Sequence, residues 1–256
     1  MTDSEHLKFA MGAVRSVVKS LKENIDERSK VEYKSKFDLY TEMDKKVENQ
    51  IVDAIQTKYP EHDIVTEETD LEITGSDHVW YLDPISGSTN YAHGLPIYGV
   101  SLALRIGEEI KIGVIYNSVV DSLFYAEKNE GAYLEEKKIF VSEVENIDKA
   151  IVSTSFPYEK KGRAENLEYF NEIAPKVEGI RRTGSVSVDF SFLALGLIDG
   201  FWGVGLKSWD TAAGSLLVEE SGGKVSNIDG KTYDISEKDI LFSNKEIHDD
   251  MLEMFK

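Results

Sequence analysis

Residues 79–94 have the sequence VWYLDPISGSTNYAHG, and this stretch decides which fold and function the chain predicts. The apolar run at 79–82 predicts a strand that ends in Asp83-Pro84. The residues that follow, Ser86-Gly87-Ser88, are small and have free backbone amides. A carboxylate at a strand end, followed by an amide-rich turn, is one way to hold a metal ion beside a phosphate group. The stretch therefore predicts a metal and phosphate site.

The composition limits the possible partners and chemistry. The chain has 256 residues, with 47 acidic against 29 basic side chains and a formal net charge of -18. This charge argues against nucleic acid or an anionic membrane as a partner, because both attract basic surfaces. The absence of cysteine excludes disulfides, thiolate catalysis and cysteine-ligated zinc. The N-terminus has no basic-then-apolar leader, and no apolar run approaches the roughly 20 residues of a membrane span, so we expect a cytoplasmic protein.

Periodicity divides the chain into a helical start, a strand-rich middle and an alternating end. Apolar residues at helical spacing predict helices over 5–25 and from Thr41 to about Pro60, with a capping-box pattern at Thr41 and Asp44. Short segments rich in β-branched and aromatic residues then predict strands: HDIVTEE (62–68), HVWYLD (78–83), VSLALRIG (100–107), IKIGVIYN (110–117), SLFYAEK (122–128) and KIFVS (138–142). The end of the chain alternates between strands at 150–154, 200–204 and 240–243 and helices at 165–174, 186–197 and 210–221.

These patterns indicate an α/β protein with two halves. Residues 1–145 are predicted to form an N-terminal α+β half with helices and a mainly antiparallel sheet. Residues 146–256 are predicted to form a C-terminal α/β half. We expect the functional site at the interface between the two halves.

Acidic residues at three sites along the chain could supply ligands to a metal ion. Glu67 and Glu68 follow one predicted strand, Asp83 ends the next, and Asp210 opens a helix. If the two strands are neighbours, Glu67 and Asp83 lie at one edge, and carboxylate oxygens are ligands that Mg²⁺ prefers. Each position alone has a simpler explanation, because adjacent glutamates often lie in a solvated loop and an aspartate often caps a helix. Their combination favours a metal site.

Five segments together resemble the inositol monophosphatase family of Mg²⁺-dependent, lithium-sensitive sugar-phosphate phosphatases. The resemblance covers nearly the whole chain and implies the layered αβαβα architecture of the sugar phosphatases. The segments are DLYTEMD (38–44), the acidic pair Glu67-Glu68, DPISGSTNY (83–91), RRTGS (181–185) and WDTAAG (209–214).

The resemblance also implies a role for individual residues. A first Mg²⁺ is expected on Glu67, Asp83 and the carbonyl of Ile85. A second is expected on Asp83, Asp210 and the residue at position 86, and the family uses two or three such ions.

The remaining implied roles concern the substrate and the attacking water. Ser88, Glu67 and Asp44 are expected to orient the water that attacks phosphorus, since aligned metal ions and water are what phosphoryl transfer requires. The amides of Gly87 and Ser88 are expected to hold the substrate phosphate. The implied substrate-binding set is Ser86, Gly87, Ser88, Gly184, Ser185 and Asp210.

Four positions depart from the family pattern. Ser86 occupies the position of the family's second-metal aspartate, and a neutral hydroxyl is a poor ligand for a hard dication, so we expect a weak second site and impaired turnover. Ser88 replaces threonine and keeps the hydroxyl. Gly203 stands where some inositol-phosphate enzymes have a glutamate, and Val186 stands where alanine is preferred, so inositol specificity is in doubt. Lys207 could meet a second phosphate, although an ordinary surface lysine is the simpler explanation.

The sequence leaves more than one function open. The first is an active phosphatase that hydrolyses a small sugar, polyol or nucleotide phosphate as a homodimer, with no nucleic acid or membrane as partner. The second is a non-catalytic relative that binds metal or sugar phosphate and acts through partners. A third explanation is that Ser86 was introduced to trap substrate.

Overall fold

The computed structural model describes residues 4–23, 31–33 and 39–256. The chain begins with α1 (Glu5–Glu23), the antiparallel pair β1 (Val31–Tyr33) and β2 (Leu39–Thr41), and α2 (Glu42–Lys58). The capping box at the start of α2 is confirmed: the Thr41 hydroxyl accepts from Met43 N, and Thr41 N donates to Asp44. The predicted end of the first helix at residue 25 and Asp38 of the DLYTEMD segment lie outside the described residues.

A seven-stranded sheet follows α2 and contains most of the predicted strands. Its strands lie in chain order across the sheet; β3 and β4 are parallel and the other neighbours are antiparallel. A short helix, α3 (Ser88–His93), follows β4. The strands are β3 (Asp63–Thr66), β4 (His78–Ser86), β5 (Gly99–Ile106), β6 (Glu109–Asn117), β7 (Ser122–Glu127), β8 (Gly131–Leu134) and β9 (Lys137–Lys138).

A five-stranded sheet forms from the alternating end of the chain. Its order is β11-β10-β12-β14-β13, with β10 parallel to both of its neighbours and β14 antiparallel to both of its own. The strands are β10 (Ile151–Ser155), β11 (Gly179–Arg181), β12 (Gly200–Gly203), β13 (Lys224–Asn227) and β14 (Ile240–Ser243). The helices are α4 (Lys160–Ile173), α5 (Val186–Ala194), α6 (Ser208–Glu220) and α7 (His248–Glu253).

The elements stack as five layers, which confirms the αβαβα architecture. Helices α1 and α2 cover one face of the seven-stranded sheet, and α5 and α6 lie between the two sheets. The five-stranded sheet shows the two-residue alternation of a sheet covered on both faces: Phe201 and Phe242 face the middle layer, whereas Trp202 and Leu241 face the outer core with α4 and α7. Among the described helices, none is long and apolar enough to cross a membrane.

One predicted strand is much shorter than expected. The segment KIFVS at 138–142 forms a ladder only through Lys137–Lys138. Beyond Ile139 the backbone leaves the sheet, and Val141 N donates to Ser221 O at the end of α6. Ile139 packs into the core of the middle layer, whereas Phe140 is exposed, so the strand-like composition does not produce a longer strand.

Candidate active site

The parallel pairing of β3 and β4 brings Glu67 beside Asp83. Thr66 is opposite Leu82 in the ladder, so the next residue of each strand lies at the same edge of the sheet. Asp83 is 2% exposed, and the register of β4 shifts between Asp83 and Ser86. The irregularity ends regular pairing at the point where the chain turns into the amide-rich segment.

Asp83 sits in a strongly acidic environment. Burial, then the charges of Glu67 and Asp210, raise the pKa of its carboxyl well above the ordinary value, and the Ser86 hydroxyl opposes this only in part. Its Oδ1 is buried and has no hydrogen-bond partner among the described residues. A buried carboxylate oxygen without a donor, near two further carboxylates, fits a hard cation such as Mg²⁺.

The carboxylates line one pocket, but their side chains are not grouped tightly around one point. Within residues 4–23, 31–33 and 39–256, no three His, Asp or Glu side chains lie close enough together to form a complete metal-binding cluster. Backbone carbonyls, water and substrate oxygens commonly complete a magnesium shell, so the donor chemistry still suits that ion.

The turn after Ser86 requires glycine. Gly87 has φ of 98°, in the left-handed region. A Cβ at Gly87 would lie 3.1 Å from Gly184 O, Ile97 O and Ser185 Cβ. The turn is therefore seated directly against the 183–185 segment, and Asn90 fastens it there by donating to Thr183 O at 2.8 Å.

Asp44 connects the start of α2 to Ser88. Its Oδ1 accepts from the Ser88 hydroxyl at 2.5 Å, and its Oδ2 accepts from Thr41 N at 2.7 Å and Thr41 Oγ1 at 2.6 Å. The Ser88 hydroxyl also lies 2.8 Å from Ile85 O. The single hydroxyl proton of Ser88 therefore has two acceptors. Asp44 is fully buried and does not line the cavity, so it holds the Ser88 oxygen in position from the side away from the cavity.

Ser86 has a structural partner of its own. It is 5% exposed, and its Oγ accepts a hydrogen bond from Ser187 N at 3.2 Å. This bond ties the end of β4 to the first turn of α5. A neutral oxygen already engaged by a backbone amide is a weaker metal ligand than a carboxylate would be.

Sequence reasoning missed Glu48, which braces the loop that carries Glu67. Glu48 is 1% exposed, and its Oε2 accepts from Thr66 Oγ1 at 2.6 Å and from Glu68 N at 2.9 Å. The two donors come from the residues on either side of Glu67. A signal was present, because Glu48 lies one turn after Asp44, beside the apolar stripe of α2.

A cavity of about 480 Å³ joins most of the predicted site residues. Asp44 and Ser185 do not line it. Asp44 lies behind Ser88, and the 3%-exposed Ser185 caps α5 by accepting from Val188 N. The predicted residues that line the cavity are Glu67, Asp83, Ile85, Ser86, Gly87, Ser88, Gly184 and Asp210.

The two departures expected to affect substrate choice, Val186 and Gly203, lie in different places, and so does Lys207 relative to Gly203. Val186 and Lys207 line the cavity, whereas Gly203 does not. A Cβ at Gly203 would lie 2.6 Å from Leu206 Cδ1, so a larger side chain there must displace a residue that lines the cavity.

Asp210 lies in the first turn of α6, where its Oδ2 accepts a hydrogen bond from Lys207 N at 2.8 Å.

Part of the cavity wall carried no sequence signal. The segment 155–159 and Lys238 line the cavity, but they lie at a strand end and in loops that meet only in the folded chain. Arg182 and Trp209 also line it; they belong to the RRTGS and WDTAAG segments, in which neither was assigned a separate role.

Comparison with known proteins identifies the family that has this site. A model of the inositol monophosphatase family matches residues 2–256. The chain belongs to the inositol monophosphatase family. It is 36% identical to an inositol-1-monophosphatase of Caulobacter vibrioides over 251 residues, which cover 95% of this chain and 98% of that protein.

Two further relatives have similar sequence identity to this chain but different names. The chain is 38% identical to Nus factor SuhB of Escherichia coli K12 over 232 residues, which cover 88% of this chain and 85% of that protein. The solved structure of an IMPase from Thermotoga maritima matches with a TM-score of 0.90 at 30% identity, covering 98% of this chain and 97% of that one. Membership therefore establishes the fold, and the activity of this chain has to be argued from its own residues.

Proposed function

We propose that the chain is a Mg²⁺-dependent phosphomonoesterase that hydrolyses a small sugar, polyol or nucleotide phosphate, with turnover limited by Ser86. The observation that carries this proposal is the buried, unpartnered Oδ1 of Asp83, in a cavity that Glu67 and Asp210 also line. The same cavity contains the Gly87-Ser88 turn, whose amides can donate to a phosphate.

Different residues would bind the metal ions, bind the phosphate and orient the attacking water. Glu67, Asp83 and the Ile85 carbonyl would hold a first Mg²⁺, and Asp83 with Asp210 would hold a weaker second. Bound there, Mg²⁺ would neutralise charge on the phosphate and lower the pKa of water.

The chain's own groups then align the reaction. Asp44 fixes the Ser88 hydroxyl, which with Glu67 would orient the attacking water on the phosphorus. The Gly87 and Ser88 amides would donate to the phosphate oxygens. Phosphoryl transfer depends mainly on such alignment and charge neutralisation, so no covalent nucleophile is needed.

The decisive experiment restores a carboxylate at position 86. Ser86→Asp supplies an anionic ligand, and a gain of about 3 kcal/mol in transition-state stabilisation corresponds to a rate increase of roughly 100-fold. Ser86→Asn is the matched control, because it resembles aspartate in size, can still accept from Ser187 N and adds no charge. Phosphate release is measured on a panel of sugar, polyol and nucleotide monophosphates at raised Mg²⁺, with Glu67→Ala as background.

The outcomes separate the possible explanations. A large gain for Ser86→Asp and none for Ser86→Asn supports the proposal. No release above the Glu67→Ala background from either the natural chain or Ser86→Asp refutes it.

The second candidate function is a non-catalytic relative that binds metal or sugar phosphate and acts through partners. Ser86 favours it, together with the 38% identity to a protein named as a Nus factor. Calorimetric titration with Mg²⁺ and a sugar phosphate should then show binding without turnover, and absence of binding would contradict it. The expectation of no nucleic-acid partner stays a prediction, as does the homodimer, which sedimentation equilibrium would test.

A further inference from the structure

One buried carboxylate has no role in the proposed mechanism and lies behind the 181–185 segment. Asp189, in the first turn of α5, is 1% exposed and does not line the cavity. A carboxylate near the start of a helix interacts favourably with the helix dipole even in solvent, so the dipole does not explain this burial. Burial raises the pKa of Asp189 to about 7, and interactions with the Ser153 and Thr183 hydroxyls oppose part of this increase. Specific contacts therefore offset the cost of burying the carboxylate.

The contacts of Asp189 join α5, β10 and the end of β11. Ser153 Oγ, on β10, donates to Asp189 Oδ1 at 2.7 Å. The same hydroxyl lies 3.1 Å from Arg181 O, and Ser153 is opposite Arg181 in the ladder between β10 and β11. The ionised carboxylate is both the nearer acceptor and the stronger one. Asp189 thus ties the first turn of α5 to β10 at the point where the 181–185 segment begins.

The 181–185 segment is also the surface against which the Gly87-Ser88 turn packs. Asn90 Nδ2 donates to Thr183 O at 2.8 Å, and a Cβ at Gly87 would lie 3.1 Å from a backbone oxygen of the same segment. Thr183 therefore interacts with Asp189 through its hydroxyl and with Asn90 through its carbonyl. Because these contacts leave no gap between the segment and the turn, a shift of one displaces the other.

We propose that Asp189 is a positioning residue for phosphate binding: it fixes the 181–185 segment, and this segment fixes the Gly87-Ser88 turn. The inference rests on the proposed function, which places the phosphate on the amides of that turn. The contacts from Asp189 reach the turn without involving the carboxylates that line the cavity. Loss of Asp189 therefore weakens phosphate binding more than Mg²⁺ binding.

The test measures phosphate affinity and Mg²⁺ affinity separately in variants of the full chain. Calorimetry below the unfolding transition gives the Kd for Mg²⁺ and the Kd for inorganic phosphate in saturating Mg²⁺, at about pH 8.5, where Asp189 is ionised. Asp189→Ala removes the carboxylate, whereas Asp189→Asn keeps an oxygen that can accept from Ser153. Ser153→Ala removes only the donor.

Asp199→Ala is the matched control. Asp199 is another buried aspartate that does not line the cavity, and it accepts from Ile151 N at 2.6 Å at the opposite end of β10. Its loss removes a buried carboxylate of the same half of the chain but leaves the 181–185 segment in contact with Asp189. Asp199→Ala should therefore lower Tm without changing the Kd for phosphate.

We expect the Kd for phosphate to rise about tenfold in Asp189→Ala, because a small displacement of the turn misplaces both amides. The Kd for Mg²⁺ should stay within about twofold of that of the natural chain, and Asp189→Asn should recover most of the phosphate affinity. Ser153→Ala should raise the Kd for phosphate about threefold, and it tests the same contact if Asp189→Ala does not fold.

Four results overturn the inference: an unchanged Kd for phosphate in the Asp189→Ala and Ser153→Ala variants, an equal rise in Asp199→Ala, a parallel loss of Mg²⁺ affinity, or no phosphate binding by the natural chain. Hydrolysis of glucose 1-phosphate is measured alongside. The expected Kd pattern without hydrolysis refutes only the proposed phosphatase activity. Hydrolysis with an unchanged Kd for phosphate in these variants refutes only the role of Asp189.

Discussion

Replacement of Glu48 tests whether the Glu67 loop depends on a buried brace from α2. Glu48→Ala leaves the Thr66 hydroxyl and the Glu68 amide without their acceptor, and each unsatisfied buried donor costs about 1–3 kcal/mol. We expect a total loss of about 3 kcal/mol, which lowers Tm by roughly 6–12 °C for a chain of this size. Because the lost bonds lie on either side of Glu67, the Kd for Mg²⁺ should also rise about tenfold, as for other residues that orient metal ligands.

Thermal unfolding and calorimetric titration with Mg²⁺, below the unfolding transition, measure the two effects separately. Glu48→Gln keeps an oxygen acceptor in the same place and should recover most of both the Tm and the Mg²⁺ affinity. Asp53→Ala removes an exposed carboxylate from the same helix and controls for the change in charge. A Glu48→Ala variant with lowered Tm but unchanged Mg²⁺ affinity would refute the positioning role and leave Glu48 as a residue of stability alone.

Two further predictions concern the packing and the pH dependence of the fold. A Cβ at Gly214 would lie 2.0 Å from Phe190 Cδ2, so Gly214→Ala should lower the free energy of unfolding in urea by about 1–3 kcal/mol or more. At Gly12, a Cβ would have nothing within 4 Å, so Gly12→Ala should instead raise the free energy of unfolding by up to about 1 kcal/mol. Equal changes in the free energy of unfolding for the two variants would contradict the packing argument. Burial between Ser226 and Ser243 lowers the pKa of His248 to about 4, so the unfolded chain binds a proton below pH 6.5 that the folded chain does not. Stability should therefore fall by up to about 3 kcal/mol as the pH drops from 6.5 to 4, and His248→Gln should remove this slope; an unchanged slope in urea titrations would refute the assignment.

The helices and most of the strands could be predicted because their signals are local. The stripe of Met43, Val47 and Ile51 and the Thr41 cap define α2 without reference to any other element. The surroundings of α6 could not be predicted, because this helix is apolar on most sides and becomes stable only between two sheets. Helix α6 contacts α5 where Gly214 lies against Phe190. No periodic pattern in the sequence predicts that these two residues are neighbours.

The candidate site could be predicted only where its residues belong to motifs. Asp83 and Gly87 lie in one continuous segment, and Glu67 is brought to them by the pairing of adjacent strands. Glu48 and Lys238 reach the site from distant parts of the chain, and their types are common on protein surfaces. Glu48 was marked only by its position one turn after Asp44, and nothing in composition or spacing separates Lys238 from a solvated lysine until the fold places it.

The residue at position 86 affects both the proposed metal binding and the electrostatic repulsion between the carboxylates of the cavity. Burial, and then the charges of Glu67 and Asp210, already disfavour the ionised form of Asp83 and raise the pKa of its carboxyl. A fourth carboxylate at position 86 would add repulsion that only bound cations offset, because buried like charges are weakly screened. Serine avoids that repulsion and gains a bond to Ser187 N, which ties β4 to α5 with no ion needed. Under the proposed arrangement, the serine that would weaken a second metal site would therefore also make the folded chain less dependent on metal.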